Sequence, residues 1–197
     1  MRYLPELFDN NRAWADHIRH SDPGYFGRLA DEQHPNILWV GCADSRVPPN
    51  QIVGLEPGEI FVHRNVGNVV GPGDVNALSV LQFAVEFLQV EHVVVCGHYG
   101  CGGVRAALEM RRPGPLGVWV EHVVATFRRH RDELEELDEE QAFRRLCELN
   151  TTAQVEALAS SGIVLDAWER GQRLYLHAWI YDLADGLLSD LHDDREA

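Results

Sequence analysis

The sequence has no run of apolar residues close to the roughly 20 that a membrane-spanning helix needs. It also has few basic residues: 17 Lys and Arg against 31 Asp and Glu, a net charge of −14 with His neutral. Polyanions are repelled by such a chain, so neither nucleic acid nor a membrane surface is expected as a partner. Cysteine is scarce as well. Four in 197 residues do not form a disulfide framework, and in a reducing compartment they divide between ligands and buried thiols. There is no internal repeat and no low-complexity linker. The first ten residues mix charge into their apolar positions and lack the apolar core of a signal peptide, so a cytoplasmic location is expected.

What is present suffices for one buried core. The hydrophobic fraction is 45%, and 197 residues suit one domain better than two. The expected division is a helical arm over 1–35, an α/β core over 36–182 and a tail over 183–197. Ile37 to Val40 and Val93 to Cys96 have the length and β-branched content of strands buried on both faces. Glu59 to His63 reads as another strand, and Arg173 to Asp182 as a fourth. In that fourth strand Leu174, Leu176, Ala178 and Ile180 alternate with Tyr175, His177, Trp179 and Tyr181. Asp185-Gly186 predicts a turn into a final hairpin strand at Leu187-Leu188. Helices are predicted over 4–19, in a short stretch leading to Gln33, from Asp74 or Asn76 to Leu88, from Gly102 to the break at Pro113-Gly-Pro115, over 117–134 and over 139–159. The helix ending at Leu88 is apolar almost all round and is expected to be buried. In the 117–134 helix Val118, His122, Ala125 and Phe127 are the inner candidates. Asp138 with Gln141 predicts the capping box of the 139–159 helix. The resulting fold class is α/β, a mainly parallel central sheet flanked by helices.

Two strands end in chemistry. The first runs into Cys42-Ala-Asp-Ser-Arg46, and the second into His98-Tyr-Gly-Cys101-Gly-Gly103. In open α/β sheets reactive groups gather at the carboxyl edge, so Cys42, His98 and Cys101 are expected to converge there. Two thiolates and an imidazole form a Cys₂His set suited to zinc, with one position left open, which favours catalysis over a closed structural site. An incidental His-x-x-Cys loop is the alternative. Cys96 and Cys147 are read as core thiols. If the backbone stays extended, Cys42, Asp44 and Arg46 point one way. Arg46 can then hold Asp44 bidentately, and the ionised Asp44 can accept a hydrogen bond from a zinc-bound water; a surface ion pair is the simpler alternative. Gln33 offers an amide donor to a substrate, or else faces solvent from a loop. Gly102 and Gly103 let backbone amides approach an anion. Two sulfur ligands neutralise the dication, so activity is expected to rise at a pH somewhat above neutral. Nothing in the spacing distinguishes His63 from solvent buffer as a proton shuttle.

Cys-Ala-Asp-Ser-Arg (42–46), Arg64-Asn65 and His-Tyr-Gly-Cys-Gly-Gly (98–103) resemble the signatures of the β-class carbonic anhydrases, in order and separation as well as in letters. The resemblance extends from the first helix to Tyr181 and points to the bacterial, bicarbonate-regulated type II subgroup. It implies one zinc ion held by Cys42, His98 and Cys101, a catalytic dyad of Asp44 and Arg46, and a substrate-binding role for Gln33. The implied reaction is reversible hydration of CO₂ to bicarbonate and a proton. It also implies N-terminal helices that pack on a partner subunit, in a homodimer or a dimer of dimers. In the subgroup the counterpart of Asp44 can leave its arginine and ligate zinc, with bicarbonate bound at residues matching Trp39, Arg64 and Tyr181. Each of these three has a simpler reading, as core, subunit ion pair and strand-end aromatic respectively. Ala43 replaces the serine commonest in the family, and many subgroup members continue beyond the position of Ala197, which leaves assembly size open. Carbon disulfide or carbonyl sulfide hydrolysis on the same fold, a non-catalytic bicarbonate sensor and a dithiol redox protein are the competing functions.

Overall fold

The computed structural model describes residues 3–31, 33–71, 73–109 and 114–191. The chain forms two compact units, Met1–His34 and Pro35–Ala197. The first holds α1 (Tyr3–Ser21) and α2 (Tyr25–Asp31). Asp22 makes the turn between them, its carboxylate accepting from the Gly24 amide at 3.1 Å and from Arg28. Trp14 meets the edge of Phe26 at 5.5 Å between ring centroids, while Leu4, Leu7 and Phe8 of α1 remain exposed.

The second unit is built on a five-stranded sheet of β1 (Ile37–Cys42), β2 (Ile60–Asn65), β3 (His92–His98), β4 (Tyr175–Tyr181) and β5 (Leu188–Asp190). The order is β2-β1-β3-β4-β5; β1 to β4 are mutually parallel, and β5 runs antiparallel to β4. The helices are α3 (Pro49–Val53), α4 (Val75–Gln82) with a five-residue π segment (Phe83–Phe87), α5 (Gly102–Leu108), α6 (Pro115–Arg129), α7 (Arg131–Glu135), α8 (Glu139–Ala159) and α9 (Gly162–Glu169). This is the expected α/β class. The central strands β1 and β3 are buried along almost their whole length, which is why their sequences read as continuous valine-rich runs.

The two sheet faces are packed differently. Leu38, Val40, Val93, Val95 and Ala178 face a core shared with α4, the π segment, α8 and α9. Trp39, Ile60, Val94 and Cys96 form a smaller cluster on the opposite face with Trp179 and Tyr181. A third cluster sits at the carboxyl ends of the strands, where Cys42, Cys101 and Ile180 meet α5, α6 and α8. Helix α8 lies directly on β3 and β4. A Cβ on Gly97 would collide with the Thr151 hydroxyl, so glycine at that strand position sets the closeness of α8 to the sheet.

The caps form as their sequences specify: Asp74 accepts from the amides of Asn76 and Ala77, and Asp138 from that of Gln141. Two packing expectations fail. The 74–88 helix is only half buried, with Val75 77%, Phe83 41% and Phe87 69% exposed. A helix that is apolar all round carries no pattern to select its inner face, and here the π segment stacks Phe83 on Phe87 outside the core. In α6 the inner residues are Val120, Val123, Val124 and Thr126, whereas Val118 and Ala125 are exposed. The stripe that includes Val120, Val123 and Val124 buries more apolar surface than the one read through His122. The expected break at Pro113 lies outside the described residues, as does 192–197 of the tail.

Candidate metal centre

Cys42 closes β1, and His98 closes the adjacent strand β3, with Gly41 opposite Cys96 in register. Gly100, at φ 69°, turns the chain in a left-handed conformation, and Cys101 takes the residue before α5. The donor atoms of Cys42, His98 and Cys101 all lie within 4.8 Å of one another, and all three residues are buried. The two sulfurs are 3.8 Å apart. Two zinc–sulfur bonds of about 2.3 Å at a tetrahedral angle span about the same distance. His98 Nδ1 meets the Tyr99 carbonyl oxygen at 2.9 Å. A carbonyl only accepts, so Nδ1 carries the proton and Nε2 presents its lone pair. That Nε2 is buried without a hydrogen-bond partner. An orphaned acceptor beside two thiols is costly unless a cation completes the set, so these residues fit zinc.

The sulfurs are electrostatically unequal. A hydrogen bond from Cys101, with a further one from the Gly67 amide, holds the Cys42 thiol well below its usual range, against burial. The same bond to Cys42 and burial push Cys101 up. The Gly67 amide reaches Cys42 Sγ at 3.4 Å. It comes that near because Gly103 has no side chain: a Cβ there would stand 2.9 Å from Val66 Cγ1 and 3.1 Å from Gly67 N. Close packing therefore accounts for Gly103, whereas Gly102 faces open space.

After Cys42 the backbone leaves the strand and turns, so the extended spacing expected for Cys42, Asp44 and Arg46 is not what brings the last two together. Asp44 Oδ1 accepts from the Arg46 amide at 3.0 Å and from its Nε at 2.9 Å, and Oδ2 accepts from the same guanidinium at 2.7 Å. This clamp holds the Asp44 carboxyl well below the usual carboxylate range. Asp44 Oδ2 lies 3.8 Å from His98 Nε2, at the rim of the donor cluster. Arg64 pins the turn, donating to the Cys42 carbonyl at 2.8 Å and to the Asp44 carbonyl at 2.5 Å.

Trp39, Arg64 and Tyr181 occupy strand positions on one face of the sheet. Trp39 is 1% exposed, its indole lies against Gly41, and its Nε1 has no partner. Gln33 is exposed and belongs to the first unit. His63 is buried, meets Asn65 Nδ2 at 3.2 Å, and has its pKa lowered by burial, none of which suits a shuttle to solvent. Cys96 and Cys147 are buried thiols, the latter pushed up to about 12 by burial. A cavity of about 350 Å³ between α5 and α6, bordered by Ala107, Val118, Val124 and Arg128, shares no residue with the donor cluster.

Sequence reasoning missed the support behind the donors. Asn150 donates to the Gly67 carbonyl at 2.9 Å, and Gln154 accepts from the Val70 amide at 2.8 Å, tying the 66–70 loop to α8. Glu148 accepts from the Tyr99 hydroxyl at 2.6 Å. The available signal was a polar series, Glu148, Asn150, Thr151 and Gln154, on a helix whose other inward residues are apolar.

Residues 37–188 match the carbonic anhydrase family. The chain belongs to the β-class carbonic anhydrases. It is 42% identical to a carbonic anhydrase of Emericella nidulans over 98% of this chain and 87% of that one. A carbonic anhydrase of Pseudomonas aeruginosa is 36% identical over 84% of this chain and 77% of its own length. Among solved structures, the β-carbonic anhydrase of Coccomyxa in complex with acetazolamide superposes with a TM-score of 0.93, at 39% identity, over 97% of this chain and 87% of that one. A tetrameric β-carbonic anhydrase of Sordaria macrospora gives 0.91 at 36% identity, over 97% and 98%. Fungal, algal and bacterial members are similar alike, so this similarity selects no bacterial subgroup.

Proposed function

We propose that the chain catalyses reversible hydration of CO₂ to bicarbonate and a proton, with one zinc ion held by Cys42, His98 and Cys101. The observation that carries this reading is the orphaned, buried His98 Nε2 facing two sulfurs 3.8 Å apart. Bound there, zinc supplies a Lewis acid that acidifies water. Asp44, kept ionised by Arg46, stands ready to accept a hydrogen bond from the nucleophile and fix its orientation. Gln33 and the amides following Cys101 are the candidate donors to substrate oxygen. The reducing cytoplasm suits the four free thiols. The exposed α1 stripe of Leu4, Leu7 and Phe8 suits packing on a partner subunit in a homodimer or dimer of dimers.

A bicarbonate-regulated form of the same reaction is favoured by Trp39 Nε1, an unpartnered donor on the sheet face that also carries Arg64 and Tyr181. Arg64 holds the carbonyls of Cys42 and Asp44, so an anion that draws its guanidinium away frees the turn and lets Asp44 reach the metal. Bicarbonate stabilises that closed state only by binding it better than the open one. Stopped-flow CO₂ hydration on chain of known zinc content, from about pH 6.5 to about pH 9, tests both readings against a bound water titrating near ~7 or above. The expected result is a rate rising with pH and suppressed cooperatively by bicarbonate. One simple titration without cooperative suppression removes the regulation. No hydration from zinc-loaded chain removes the activity, leaving carbon disulfide, carbonyl sulfide or sensing.

A further inference from the structure

Next in sequence to His98, Tyr99 joins a group of charged residues that the reaction does not use. Tyr99 is at its centre. The Tyr99 hydroxyl donates to Glu148 Oε1 at 2.6 Å, and Arg145 holds the other oxygen of Glu148 at 2.9 Å. The Arg144 guanidinium carbon lies 3.6 Å from the centre of the Tyr99 ring, and Arg144 is itself fixed by Asp182 at 2.9 Å. The Tyr99 amide donates to the Tyr181 carbonyl at 3.0 Å. Residue 99 is thus held at its amide, its ring face and its hydroxyl, by the end of β4 and by α8. Its carbonyl oxygen accepts a hydrogen bond from His98 Nδ1.

We propose that Tyr99, locked to Glu148, is a positioning residue for His98, resting on the reading of His98 as a zinc ligand. The locked carbonyl fixes both the tautomer and the rotation of the imidazole, so that Nε2 stays aimed between the two sulfurs. Partners that orient a metal-binding imidazole through its second nitrogen typically contribute 10- to 100-fold in metal affinity. Here that partner is a backbone atom, and a side chain one step further out holds it still. The contribution of the Tyr99 hydroxyl falls at the low end of that range, about 10-fold.

The test uses the zinc-loaded chain. Tyr99→Phe keeps the ring under Arg144 and removes only the hydroxyl; Glu148→Ala removes the acceptor, and Glu148→Gln retains an acceptor oxygen. Zinc release is followed with a chromophoric chelator, and donor geometry by the visible bands of the cobalt-substituted chain. Expected are release about 10-fold faster in Tyr99→Phe and Glu148→Ala, shifted cobalt bands in both, no further loss in the double variant, and recovery in Glu148→Gln. The melting temperature of the metal-free chain should be almost unchanged by Tyr99→Phe. Wild-type release and cobalt bands in Tyr99→Phe would overturn the proposal, and so would a drop in metal-free stability that alone accounts for faster release. Wild-type chain that holds no zinc would overturn the ligand reading itself, a separate failure visible before any variant is made.

Discussion

Three hydrogen bonds from one residue converge on the Asp44 carboxylate: two from the Arg46 guanidinium and one from its amide. The side-chain bonds of Arg46 are the chief reason that the Asp44 pKa is lowered, with the Arg46 amide adding to them against burial. The sign of the resulting pH dependence follows. A carboxyl group whose folded pKa lies below its unfolded value of about 4 adds stability that is fully present above that value. This stability is lost as pH falls through the folded value. Asp44→Asn should therefore be less stable than wild type at neutral pH, with the gap narrowing once the pH drops below about 4. Urea unfolding at a series of pH values measures this, and a gap independent of pH would show that the Arg46 clamp is not its source. The same residues illustrate what was legible at this scale. Thiol, imidazole and carboxylate identities stand out in the sequence because such groups are rare at the ends of buried strands. The Asp44–Arg46 pairing was legible, but the extended path expected between the two residues is not taken, because the side-chain bond to the Arg46 amide creates a turn.

At the scale of elements, the strands were legible and the helix faces were not. A strand buried on both sides leaves an unbroken β-branched run, as in β3, whereas α6 offers two apolar stripes and only packing chooses between them. Helix α8 shows what such ambiguity conceals. Its buried Asn150 and Gln154 look like flaws in an amphipathic pattern, yet they hold the loop whose Gly67 amide reaches Cys42. Gly97 sets the distance of this helix from the sheet. Gly97→Ala should force α8 outward from Thr151 and cost about 1–3 kcal/mol. Because α8 carries the grips on Tyr99 and the 66–70 loop, the same variant should release zinc faster. Thr151→Ala in the Gly97→Ala background removes the colliding hydroxyl and should recover part of both losses. Unfolding and chelator assays on the two variants check this; full stability in Gly97→Ala would show that α8 can yield without consequence.

For the whole molecule, charge and exposed apolar surface oppose each other. Each chain carries −14, so copies repel at long range. Yet α1 exposes Leu4 and Leu7 at 56% each, Phe8 at 66% and Trp14 at 47%, a stripe with helical spacing. Burying such side chains contributes roughly 1.5–3 kcal/mol each when complete, enough for a few of them to outweigh screened repulsion. If this stripe holds subunits together, assembly should strengthen as salt is added, because salt weakens the repulsion while leaving apolar burial in place. An assembly held by ion pairs would respond in the opposite direction. Sedimentation of the zinc-loaded chain at low and physiological ionic strength separates the two. Leu7→Glu combined with Phe8→Glu should then shift the chain towards monomer at every salt concentration while keeping its zinc, since the donor cluster belongs to the other compact unit. Unchanged sedimentation in that variant would place the subunit contact elsewhere, with the exposed Phe83 and Phe87 the next surface to probe.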